Sequence, residues 1–67
     1  MSEERRAVEN YARRRMHQGD LLTWAFSRGD QVTFFIPEDV SAQSYPSEIE
    51  GFEVVIRRLP RPLIQGR

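Results

Sequence analysis

The stretch that most limits what this chain can fold into is Leu21 to Ile36, LLTWAFSRGDQVTFFI. Leu22, Trp24 and Phe26 alternate with smaller residues ahead of Arg28-Gly29-Asp30, and Val32, Phe34 and Ile36 alternate after it. Period-two apolar runs on either side of a Gly-centred turn signal are the pattern of a β-hairpin. Loop length fixes the register. A two-residue loop at Gly29-Asp30 would set Trp24 opposite Phe35 and Phe26 opposite Thr33. A three-residue loop at Arg28-Gly29-Asp30 sets Phe26 opposite Val32 and Trp24 opposite Phe34. The second collects every large apolar side chain except Phe35 on one face, so it is the register expected, directly or through an equivalent bulge. Phe35 then falls on the opposite face with Thr23, Ala25 and Thr33.

A helix is expected ahead of the hairpin, over Ser2 to Gln18. Ser2 can cap it, and Glu3 and Glu4 place carboxylates at the positive end of its dipole. Ala7, Val8, Tyr11, Ala12 and Met16 recur at helical spacing. Arg13, Arg14, Arg15 and His17 gather at the other end, and Gly19 supplies the left-handed residue that stops helices. The apolar stripe is narrow and rich in alanine, so the helix needs a sheet to lie on. After Pro37, which cannot donate to a ladder, residues 38–51 form a polar connection. Pro46 can open a short helical turn through Ile49 that Gly51 closes. A third strand is expected over Phe52 to Leu59, free to pair with either earlier strand. The expected architecture is α+β, an N-terminal helix on a three-stranded sheet. It forms one domain over residues 1–59, with an irregular tail over 60–67.

Size turns this outline into an argument about association. A chain of 67 residues buries only about 60% of its unfolded surface, and domains this small often depend on a disulfide, a metal or a partner subunit. The chain has no cysteine and one histidine, which leaves self-association as the available support. The open sheet face would carry Thr23, Thr33, Phe35, Val55 and Arg57, and these five are the candidate self-association residues, with a free sheet edge as the other route. The expectation is a homodimer, with a further protein partner of unknown identity. No metal or cofactor is expected.

The formal charge is zero and all ten basic residues are arginine, which suits bidentate pairing with carboxylates and argues against a dedicated nucleic-acid binder. No apolar run approaches the roughly 20 residues of a membrane span, and the polar opening MSEERR lacks the apolar core of a secretion signal, so a cytoplasmic protein is expected. Charge is blocked along the chain: arginines in residues 1–17, acids alone in 38–53, arginines again in 57–67. Pairing of these blocks within the fold or between subunits is the simplest account.

Within the second half, SRGDQVTFFI followed by YPSEIEGFEVVI resembles a small bacterial α+β domain found alone or ahead of trypsin-like protease regions. The resemblance covers residues 21–58. The first strand departs from it, reading LLTWAFS where that domain tends to be glycine-rich. The resemblance implies the same order of elements and a non-catalytic accessory role, and it brings no catalytic residues.

Other candidate sites reduce to structure. Arg28-Gly29-Asp30 spells an adhesion tripeptide, but turn chemistry accounts for it. His17 has no nucleophile or aligned carboxylate marked beside it, so a helix-terminal role is expected. Glu48 with Glu50, or Glu38 with Asp39, would need a cleft that so short a chain barely makes, and no glycine-punctuated calcium loop is present. Arg57 to Pro62 reads RRLPRP, with its prolines at the wrong interval for a groove-binding ligand. Arg13, Arg14 and Arg15 could meet phosphates, and an open aromatic sheet could stack bases. Single-stranded nucleic-acid binding is therefore the alternative function. No nucleophile, base and orienting group fall together, and no enzymatic activity is expected.

Overall fold

The structure, a computed structural model, describes residues 3–60; the Ser2 cap and the tail beyond Pro60 lie outside them. Helix α1 spans Glu3–His17, and strands β1 and β2 span Thr23–Ser27 and Gln31–Pro37. A single 3-10 turn follows at Ala42–Ser44, then a two-residue strand β3 at Glu48–Ile49 and the long strand β4 at Phe52–Leu59. The fold is α+β, one helix packed on a four-stranded sheet of order β1-β2-β4-β3. Four strands stand where three are expected.

The helix ends as its sequence dictates. Gly19 takes φ +84°, its N–H donates to the Met16 carbonyl (3.0 Å), and the Asp20 N–H reaches the Arg15 carbonyl (2.9 Å). These two bonds form the Schellman pattern that satisfies the last orphan carbonyls. The chain then turns into the hairpin with the expected register: Trp24 lies opposite Phe34 and Phe26 opposite Val32. Arg28, Gly29 and Asp30 make the three-residue loop, with Gly29 at φ +72°, where a Cβ would be strained.

Strand β4 pairs with β2, and does so in parallel, Phe34 beside Ile56 and Phe35 beside Arg57. Parallel neighbours need a crossover, and residues 38–51 provide it without a full helix. The Val40 N–H bonds to the Pro37 carbonyl (3.2 Å), and Arg58 Nη1 donates to the carbonyls of Glu38 (3.2 Å) and Val40 (2.8 Å). Ser41 caps the 3-10 turn by accepting from the Gln43 N–H (3.2 Å). The helical turn therefore lies earlier than the expected Pro46–Ile49. In its place Ile49 pairs with Phe52 across a two-residue hairpin in which Glu50 and Gly51 both have positive φ, +52° and +85°. That is the type I′ geometry, whose twist matches paired strands.

The core lies between helix and sheet. Val8, Ala12, Val32, Phe34 and Ile36 are fully buried, with Leu21 and Tyr45 nearly so. Each large apolar side chain removed from water contributes roughly 1.5–3 kcal/mol. Tyr11 stacks on Phe34 with ring centres 6.0 Å apart, and Tyr45 of the crossover meets both rings. Two expectations about this core need correction. Met16 is 40% exposed, because the stripe that begins at Val8 and passes through Ala12 continues to Arg15 in the last turn. Trp24 and Phe26 are half-buried, since β1 is an edge strand with a neighbour on one side only.

Candidate interaction face

Side chains alternate across the sheet, so the residues opposite the helix can be read from the register. Thr23, Phe35 and Arg57 form one row across β1, β2 and β4. Ala25, Thr33 and Val55 form the next, and Ser27, Gln31 and Glu53 the third. The five residues expected to share an open face, Thr23, Thr33, Phe35, Val55 and Arg57, occupy two adjacent rows of a single face that α1 leaves uncovered. Phe35, Thr33 and Val55 are half-buried by their neighbours, while Thr23 and Arg57 at the margins are exposed. Leu59, on the same side of β4, is 40% exposed.

Polar residues outside the five candidates complete the face. Gln31 Nε2 donates to Glu53 Oε1 (3.3 Å), which holds that carboxylate in its row. Glu48 of β3 lies directly opposite Glu53. Like charges facing each other across an antiparallel pair are destabilising, and neither carboxylate has an ion-pair partner among the described residues. Arg57, two rows away along β4, likewise has none. The alternation of β4 places Glu53 on one side with Val55 and Arg57 on sequence alone. Glu48 could be placed only once β3 was known.

The sheet also has open edges. β1 is the edge on one side; on the other, β3 pairs with β4 at Phe52 and Glu53 and the Ser47 carbonyl accepts from the Val54 N–H (3.0 Å), while no strand pairs with β4 on that side beyond Val54 among the described residues. Bare edges are sites where further strands add.

The arginines of α1 do not act as a set. Successive helical residues point about 100° apart, and Arg15 is committed to the fold while Arg13 and Arg14 are exposed. Its Nη2 donates to Ser44 Oγ (2.9 Å) and lies 3.6 Å from Asp20 Oδ2, and its guanidinium sits 4.3 Å over the Tyr45 ring. The Tyr45 hydroxyl donates a hydrogen bond to the Asp20 carbonyl. Burial alone would lower the pKa of Arg15, but the Tyr45 hydroxyl, together with the nearby charges of Tyr45, Tyr11 and Asp20, outweighs it and leaves the guanidinium raised. The shallow hollow between Arg15, Asp20, Asp39, Ser41 and Ser44 opens widely to solvent. His17 is exposed in the last helical turn, and Arg28-Gly29-Asp30 is the hairpin loop. Among the described residues no helix is long and apolar enough to cross a membrane. No family model, curated protein or solved structure matches the chain.

Proposed function

We propose that this chain is a non-enzymatic protein-interaction module that associates with itself through the open face of its sheet. The observation that carries the reading is the convergence of Thr23, Thr33, Phe35, Val55 and Arg57 on one uncovered face, with an aromatic ring and a branched aliphatic side chain near its centre. A fold this small gains from covering them. The resemblance of residues 21–58 to an accessory domain would add only the non-catalytic part of this reading. Three strands about 4.8 Å apart and a few residues long present a face well below the roughly 800 Å² per partner of a standard interface, so the association is weak and strongly concentration-dependent. The test is mass in solution across a dilution series reaching hundreds of micromolar. The native chain is expected to shift from monomer to dimer, and Phe35→Ser to remain monomeric with its fold intact by circular dichroism. A native chain monomeric at every concentration refutes the proposal.

The second reading, single-stranded nucleic-acid binding, is supported by the exposure of Arg13 and Arg14. The double variant Arg13→Ala, Arg14→Ala should then lose retention on an oligonucleotide column and flatten its salt dependence. Unaltered retention ends that reading.

A further inference from the structure

The charges on the open face are arranged antisymmetrically. Along β4, Glu53, Val55 and Arg57 point to the same side, the acid and the base equidistant from the valine. At roughly 3.3 Å per residue, Glu53 and Arg57 stand about 13 Å apart, too far to pair within one chain. Both lack an ion-pair partner among the described residues, and Glu53 additionally faces Glu48.

Resting on the self-association reading above, we propose that two copies pack face to face about a two-fold axis that crosses the strands at the row of Ala25, Thr33 and Val55, so that Arg57 of each copy meets Glu53 and Glu48 of the other. Such an axis lays β4 antiparallel over the second β4. It superposes the row of Thr23, Phe35 and Arg57 on the row of Ser27, Gln31 and Glu53. Small side chains meet on the axis, each Phe35 covers a Gln31, and two ion pairs form where the single chain leaves two charged ends. The other two-fold axis available to stacked sheets, parallel to the strands and centred on β4, would place Arg57 over Arg57 and Glu53 over Glu53. Charge alone selects between the two. Sheets stacked in this manner lie about 10 Å apart with strands within about 30° of alignment, a gap that an arginine and a glutamate together span. The clash of Glu48 with Glu53, unrelieved by any ion pair among the described residues, acquires a cation between them.

Charge exchange tests this register. Glu53→Arg alone should bring two arginines together, the introduced one against Arg57 of the second copy, and weaken dimerisation by at least about tenfold; Arg57→Glu alone should do the same with acids. An equimolar mixture of the two single variants should recover a dimer, because each contact then joins opposite charges, and the double variant should also dimerise. Recovery on mixing cannot arise from two misfolded chains. Single variants that dimerise as the native chain does, or a mixture that stays monomeric, overturn the register while leaving self-association through the open face, tested by Phe35→Ser, standing. A native chain that never dimerises removes the parent reading and this inference together.

Discussion

Phe34 and Phe35 are neighbours in one strand, yet their energetic roles are separate. Phe34 is fully buried under Tyr11 and Tyr45, whereas Phe35 shares its face with Thr23, Ala25, Thr33, Val55 and Arg57. The covered face holds the chain together: its residues come from the helix, all four strands and the crossover, and they close over one another. The open face has the same strands and the same alternation but is not covered by α1, and it carries Glu53 and Arg57, which have no ion-pair partner among the described residues. On the reading proposed above, one sheet divides its two surfaces between folding and contact.

Truncating the two rings should break this comparison apart most sharply. Phe34→Ala removes a buried aromatic and should cost about 3–5 kcal/mol. A chain of this length has roughly 3–10 kcal/mol in total, so the variant should be largely unfolded by circular dichroism at room temperature. Phe35→Ser should cost about 1 kcal/mol, in the ordinary range for a half-buried site, leaving a folded monomer. Equal losses from both would mean that the open face is core after all.

The next largest effect lies where the crossover locks onto the helix end. Tyr45→Phe keeps the ring under Arg15 and against Phe34 but deletes the hydroxyl bonded to the Asp20 carbonyl. Losing one part-buried hydrogen bond should cost about 1–1.5 kcal/mol, a fall in Tm of about 4–8 °C for each kcal/mol. Oligomer mass, normalised for folded fraction, should not change, because this contact is on the covered side.

How much of this was legible beforehand follows from which signals are local. The hairpin register was readable because one loop length gathers Trp24, Phe26, Val32 and Phe34 on a side and the other scatters them. β4 was readable from the alternation of Phe52, Val54 and Ile56. β3 was not: two residues carry no period, and Gly51 serves a hairpin turn as well as it serves a helix end. Its preceding Glu50 hid the I′ turn further, since asparagine or glycine is the usual occupant. The parallel pairing of β2 with β4 is not legible because the crossover lacks the long helix that announces such a connection. The role of Arg15 depends on Ser44 and Tyr45, which lie far along the chain from it, and no spacing rule reaches that far.

The same turn supplies a smaller prediction that sharpens the comparison from the backbone side. Glu50 holds φ +52°, a left-handed conformation that costs an ordinary residue roughly 1–2 kcal/mol and glycine far less. Part of the gain is lost to glycine's greater freedom when unfolded, so Glu50→Gly should stabilise the chain by about 0.5–1 kcal/mol, read as a higher denaturation midpoint. Because the turn belongs to neither face, the open-face variants can be repeated in this background with more stability to spare. Their effect on mass should be unchanged.

The smallest effect separates the two faces by pH. Burial against the core raises the Tyr11 hydroxyl above its ordinary pKa of 10.0; Tyr45 and Asp20 add to the rise, and Arg15 and Arg14 oppose it. The neutral phenol is thus favoured in the folded state. Its contribution is fully present below pH 10, and it is lost as pH climbs past that value, because the unfolded chain releases its proton first. Tyr11→Phe should leave stability at pH 7 nearly unchanged and make the decline above pH 10 shallower. An identical alkaline decline in the variant would mean that Tyr11 does not sense the core it stacks upon. The Phe35→Ser variant, altered only on the other surface, should retain the native slope.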